Sequence, residues 1–102
     1  SNTSYKKNEI YKYIHDLDHL GMQHISNLDY DSFYSYLNYT DNTICGQNPI
    51  CILLNVINMA VKQQQNKINY SCKFVDYSQS GKVESKNDYS VSYAAGIVYI
   101  KP

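Results

Sequence analysis

The sequence contains no tryptophan and only two prolines, four glycines and three cysteines among its 102 residues. With so little glycine and proline, no linker-like stretch divides the chain. Gly-rich phosphate loops, a serine-nucleophile elbow and paired-carboxylate signatures are missing. No apolar run approaches the roughly 20 residues of a membrane span. No charged segment followed by an apolar core opens the chain in the manner of a signal peptide. Nine basic side chains balance nine acidic ones, so the basic surface that nucleic-acid binding needs is absent. Neither nucleic acid nor membrane is expected as a partner. Charged residues make up 18%, against about 25% in an ordinary soluble domain, and twelve tyrosines fill the gap.

Cys45, Cys51 and Cys72 are odd in number and spaced for neither a disulfide framework nor a Cys-x-x-Cys zinc site. They read as reduced thiols of a cytoplasmic protein. Sequons at Asn2, Asn38 and Asn69 are what chance supplies in a chain this rich in Asn, Ser and Thr.

Hydrophobic spacing predicts three helices followed by two strands in one undivided segment, residues 1–102. Ile10, Tyr13, Ile14, Leu17, Leu20, Ile25 and Leu28 give the first helix, from Asn8 to about Asn27, a buried stripe. Asp29 or Asp31 caps a shorter second helix in which Tyr30, Phe33, Tyr34 and Leu37 share a face. Residues 38–48 read as a loop. Asn48-Pro49 then opens a third helix, with Ile50, Leu53, Leu54, Ile57 and Val61 as its core stripe and Gln63 to Asn66 as its end. Ile68, Tyr70, Cys72 and Phe74 alternate with other residues up to Val75, the period of a strand, and Val91, Tyr93, Ala95 and Ile97 alternate in a second. Asp76 to Asn87 reads as their connection. Gly96 marks a bulge or a close backbone contact.

Few residues are placed to carry chemistry. His15 and His19 lie four apart on the first helix with Asp16 and Asp18 beside them, so a surface metal site is conceivable; the competing reading is a solvated helix face. His24 has no partner by spacing. Cys45 stands three residues before the expected cap of the third helix, where a helix N-terminus favours a thiolate. A functional cysteine competes there with a buried small apolar residue. Cys51 and Cys72 read as packing residues. Tyr30, Tyr34, Tyr36 and Tyr39 are either a recognition surface or half-buried side chains with solvated hydroxyls.

Three segments carry a resemblance: Leu28-Asp29-x-x-Ser32-Phe33-x-x-Tyr36-Leu37, Asn42-Thr43-Ile44-Cys45-Gly46-x-x-Pro49-Ile50 and Ser90-Val91-Ser92-Tyr93-Ala94-Ala95-Gly96. With Glu9-Ile10-Tyr11, Leu17-Asp18-x-Leu20-Gly21-Met22 and Phe74-x-x-Tyr77-x-Gln79-Ser80, they resemble the C-terminal third of the Memo family, mediators of receptor-kinase-driven cell motility. The resemblance implies an α/β chain forming the C-terminal part of a three-layer α/β/α fold with a mixed sheet, similar to class III extradiol dioxygenases. It implies that Cys45 is one ligand of a copper or iron ion, the other ligands being two histidines of the part that precedes this chain. His15, His19 and His24 do not match those histidines. The complete protein would then carry out metal-dependent redox chemistry or, alternatively, serve as a signalling scaffold that receives a peptide or phosphotyrosine in a vestigial pocket. Animal members continue after the cysteine with Gly-Arg-His-Pro, whereas this chain has Gly46-Gln47-Asn48-Pro49, which removes a cation from the pocket. Alone, the segment is expected to be inactive, to hold metal only weakly, and to self-associate or pair with its own N-terminal part.

Overall fold

A computed structural model describes residues 5–40, 42–63, 68–85 and 87–101. Helices α1 (Ile10–Ser26), α2 (Tyr30–Thr40) and α3 (Gln47–Gln63) precede strands β1 (Asn69–Gln79) and β2 (Ser92–Lys101), the three-helix, two-strand order expected of an α/β segment. The strands pair antiparallel. Asn2 and the stretch Gln64 to Asn66, expected to end α3, lie outside the described residues.

No side chain caps the start of α1; instead the Tyr11 N–H donates to the Val83 carbonyl at 2.8 Å. That bond ties the connection between the strands to the helix and buries Val83. At its other end α1 closes with the Leu28 N–H donating to the Ile25 carbonyl (2.9 Å) and the Asp29 N–H to the His24 carbonyl (3.1 Å). This turn needs a left-handed residue, and Leu28 supplies it at φ 54°. A non-glycine residue pays about 1–2 kcal/mol for that conformation, offset here because the Leu28 side chain packs on the core. Asp29 then caps α2: its carboxylate accepts from the Ser32 N–H (3.1 Å) and hydroxyl (2.6 Å). Those two bonds hold the Asp29 carboxyl below the ordinary carboxylate range. Of the two aspartates weighed, Asp29 is the cap.

The core of the helical part is Phe33, Tyr36 and Leu54, with Leu17, Ile25, Ile50 and Cys51 packed around it. Tyr34 departs from expectation: it is half exposed and stacks on Tyr30, while Tyr36 takes the buried place. The stripe of α3 is also narrower than its spacing predicts. Leu54 and Ile57 are buried, but Leu53 and Val61 remain about half exposed, since only one side of α3 meets the other helices. Tyr13 and Leu20 of α1 are likewise exposed.

Strand β1 runs four residues past the expected end at Val75. Pairing shifts there, with Phe74 opposite Gly96 and Asp76 opposite Ala95, so Val75 is an extra residue. Such a bulge reverses the side-chain phase: Tyr70, Cys72 and Phe74 are half-buried before it, with Ser71 between them, and Tyr77 and Gln79 after it. An alternation of two breaks at the bulge, which is why the sequence pattern stops there. Gly96 is the close contact rather than the bulge itself, since a Cβ would lie 3.0 Å from the Phe74 ring.

Gly21 is the tightest point between α1 and α2: a Cβ there would sit 2.8 Å from Tyr36 Cε1. Gly21→Ala is therefore expected to destabilise the fold by about 1–3 kcal/mol, as overpacking does. Gly81→Ala, where the nearest atom is 3.9 Å away, is expected to stay within about 0.5 kcal/mol. Urea unfolding of both variants checks this, and an equal response at the two positions would refute the close crossing.

Candidate functional site

The loop between α2 and α3 is built from the helices that flank it. At its start the Asn42 side-chain amide donates to the Tyr36 hydroxyl (2.7 Å), and that hydroxyl donates to the Leu17 carbonyl of α1 (2.8 Å). The Asn42 N–H bonds Thr40 Oγ1 at 3.2 Å, while the Thr40 hydroxyl donates to the Tyr36 carbonyl at 2.7 Å. Asn42 is thus held from both its backbone and its side chain by groups fixed to the core.

The next turn is closed reciprocally. The Gln47 N–H donates to the Ile44 carbonyl (3.0 Å), and the Gln47 side-chain oxygen accepts from the Ile44 N–H (3.1 Å). Between them Gly46 adopts φ 87°, a conformation that favours glycine. Its carbonyl accepts the first helical bond of α3, from the Ile50 N–H at 3.0 Å. The helix therefore starts at Gln47 rather than after an Asn48 cap, because the side chain of Gln47 and the turn at Gly46 already satisfy the loop. Pro49 falls in the first turn, where a missing N–H costs nothing. Gln47 has a structural use: its side-chain oxygen accepts the Ile44 N–H, which a guanidinium could not do.

Cys45 stands at the centre of this loop, exposed, two residues before α3. It is neither a packing residue nor part of a disulfide. Beside it lies a shallow depression of about 430 Å³, lined by Leu37 and by residues 42–44 and 46–49; the Cys45 side chain lies outside its wall. Cys51 and Cys72 are half-buried, as expected of packing residues, and burial pushes both thiols up.

The histidines are elsewhere. His15 and His19 stack against each other on α1 and contact Tyr77 of β1, while His24 is edge-on to Tyr36. Among the described residues no three His, Cys, Asp or Glu side chains are arranged to hold an ion. Cys45 thus offers one soft, accessible donor. That fits a single ligand of a metal site, and it does not fit a site complete within this segment. The residue that sequence reasoning missed is Asn42. Its signal was its place at the start of the Asn42-Thr43-Ile44-Cys45-Gly46 motif, but its partner Tyr36 could not be named without the helix crossing.

A family model described as Memo-like protein matches residues 3–97. The chain is 47% identical over 92 residues to Protein MEMO1 of Mus musculus and 46% identical over 92 residues to that of Homo sapiens; each match covers 90% of this chain and 30% of the relative. It is 41% identical over 93 residues to Protein memo-1 homolog of Caenorhabditis elegans, covering 91% of this chain and 26% of the relative. The chain therefore spans less than a third of the length of the curated relatives it matches.

Accessibility separates the three thiols. Under competitive alkylation of the folded protein, Cys45 is expected to label faster than Cys51 and Cys72, read by mass spectrometry of the peptides. Equal or slower labelling of Cys45 would remove it as a candidate site residue.

Proposed function

Because this chain belongs to the Memo-like protein family, we propose that it contributes the cysteine-bearing wall of a redox-metal site, with Cys45 as one ligand of a copper or iron ion. The observation that carries this reading is the exposed thiol on a loop braced by hydrogen bonds on both sides of it. Tyr36 anchors Asn42, Gln47 closes the turn on Ile44, and Gly46 takes the positive φ, so the local structure is spent on presenting Cys45 rather than on burying it. A thiolate suits copper or iron better than magnesium or calcium. The remaining ligands belong to sequence outside this segment, within the longer protein that the relatives' lengths suggest. When bound, the metal would supply one-electron chemistry with oxygen. The chain's own part is to fix the thiol and to keep the start of α3 beside it.

The second reading is a scaffold that takes a peptide or phosphotyrosine in the same place. The depression beside Cys45 is polar enough for a peptide, through Asn42, Gln47 and Asn48, but among the described residues no Lys, Arg or His lines it. Phosphate recognition ordinarily uses such a cation. The metal reading is therefore preferred.

The longer protein tests it. Metal content and oxygen consumption are measured for the wild type and Cys45→Ser. The mutant is expected to lose most of the bound copper or iron and any metal-dependent turnover. Undiminished metal in Cys45→Ser would end this reading, and a metal-free protein that still bound a phosphotyrosine peptide would establish the scaffold.

The same reading explains the apolar surface. Val75, Tyr93, Ile97 and Ile100 of the ribbon and Ile52, Val56 and Met59 of α3 are all more than half exposed. Patches of this kind mark interfaces, and an open strand edge invites pairing with another chain. In the longer protein the rest of the polypeptide would cover them. Produced alone, the 102-residue chain is expected to self-associate in sedimentation velocity and to bind copper or iron far more weakly than the longer protein. A monodisperse monomer with tight metal binding would overturn both expectations.

A further inference from the structure

Helix α1 carries a second set of donor atoms that owes nothing to Cys45. His15 and His19 are one turn apart, their rings stacked with centroids 3.9 Å apart and planes inclined by 24°. Each ring already uses one nitrogen. His19 Nδ1 lies 2.8 Å from the His15 carbonyl oxygen. A carbonyl can only accept, so that nitrogen carries the proton and Nε2 keeps its lone pair. His15 Nδ1 lies 3.2 Å from Asp16 Oδ1, which fixes the same tautomer, since a carboxylate also accepts. Metal-bound imidazoles have this pattern: the nitrogen away from the ion donates to a carboxylate or a backbone carbonyl, which orients the ring and raises its basicity.

The rings are also held from the facing strand. Tyr77 meets both edge-on, at 5.4 Å from His15 and 4.4 Å from His19. Its own hydroxyl is fixed, donating to Asp18 Oδ2 at 2.6 Å and accepting from the Gln79 side-chain amide at 3.1 Å. The His15 side chain is about half exposed, so an ion can reach the pair from solvent. We propose that His15 and His19 form a two-imidazole chelate, through their Nε2 atoms, for a borderline-soft divalent transition ion such as Ni²⁺, Zn²⁺ or Cu²⁺.

Metal–nitrogen bonds of about 2.0–2.1 Å at adjacent coordination positions set the two nitrogens about 3 Å apart. The stacked rings, with centroids 3.9 Å apart, bring the two imidazoles within reach of one ion. No group of three His, Cys, Asp or Glu among the described residues is arranged around an ion, so water completes the coordination. Mg²⁺, which demands oxygen ligands, is not matched by a pair of imidazole nitrogens.

Ni²⁺ titration of the 102-residue chain in a Cys45→Ser background is the test, and that background keeps the outcome independent of the proposed thiolate site. Calorimetry gives affinity, and paramagnetic broadening of the histidine ring resonances gives location. The expected result is broadening of His15 and His19 before His24, with Ni²⁺ affinity falling about tenfold or more in His15→Gln and in His19→Gln, since each removes one arm of the chelate. His24→Gln and Mg²⁺ titration serve as controls, expected to show no loss and no binding. Circular dichroism confirms that α1 persists in each variant. Equal broadening of all three histidines, an affinity unmoved by either substitution, or no Ni²⁺ binding would each overturn the chelate.

Discussion

One buried phenol holds the helical part of this protein together. The Tyr36 ring is 4% exposed and lies directly on Gly21, so α1 and α2 approach closely only because residue 21 has no side chain. Its hydroxyl donates to the Leu17 carbonyl and accepts from Asn42, so it fixes both the crossing of two helices and the start of the loop that follows. Each such bond contributes only about 1 kcal/mol net, whereas leaving a buried partner unpaired costs about 1–3 kcal/mol. The loop is therefore bound to the crossing: moving Tyr36 leaves unpaired the groups on both sides of it. Burial pushes the Tyr36 phenol above the ordinary tyrosine range, so it remains a neutral donor near physiological pH.

Much of the fold was legible because local chemistry decided it. A cap at Asp29 or Asp31 followed from residue type, with the bonds to Ser32 choosing Asp29, and the order of elements followed from a period of 3.6 giving way to a period of two. What escaped were features decided across elements. Tyr34 and Tyr36 are both tyrosines on one short helix, and only the position of Gly21 on α1 selects the second for burial. The bulge at Val75 is set by pairing with β2 opposite Gly96, and no local signal in β1 announces it. Val83 looked like part of a polar connection, yet its carbonyl is the acceptor for the first turn of α1.

The candidate site divides in the same way. Cys45, and Gly46 beside it, were visible from a motif and from the expected start of a helix. The structure places that start at Gln47, because the side chain expected only to mark a lost cation instead closes the turn on Ile44. The Gly46-Gln47 pair rigidifies the loop through a positive φ and a side-chain acceptor. His15 and His19 were legible as a pair, but not as two rings locked in one tautomer, because that depends on Asp16, a backbone carbonyl and Tyr77 from a strand distant in sequence.

The two halves of the chain stand on unequal footing. The helices share a core that anchors Asn42 and Gln47, so the Cys45 loop is formed without help from the strands. The ribbon meets the helical part chiefly through β1 and the connection at Val83, and nearly every residue of β2 is exposed. The radius of gyration, 15.8 Å, exceeds the roughly 13 Å of a compact chain of this length. A two-stranded ribbon is marginal in water, so its stability depends on what covers it. The thiol is thus presented by structure this segment makes for itself, whereas on the proposed reading the other metal ligands and the cover of the sheet would come from polypeptide outside it.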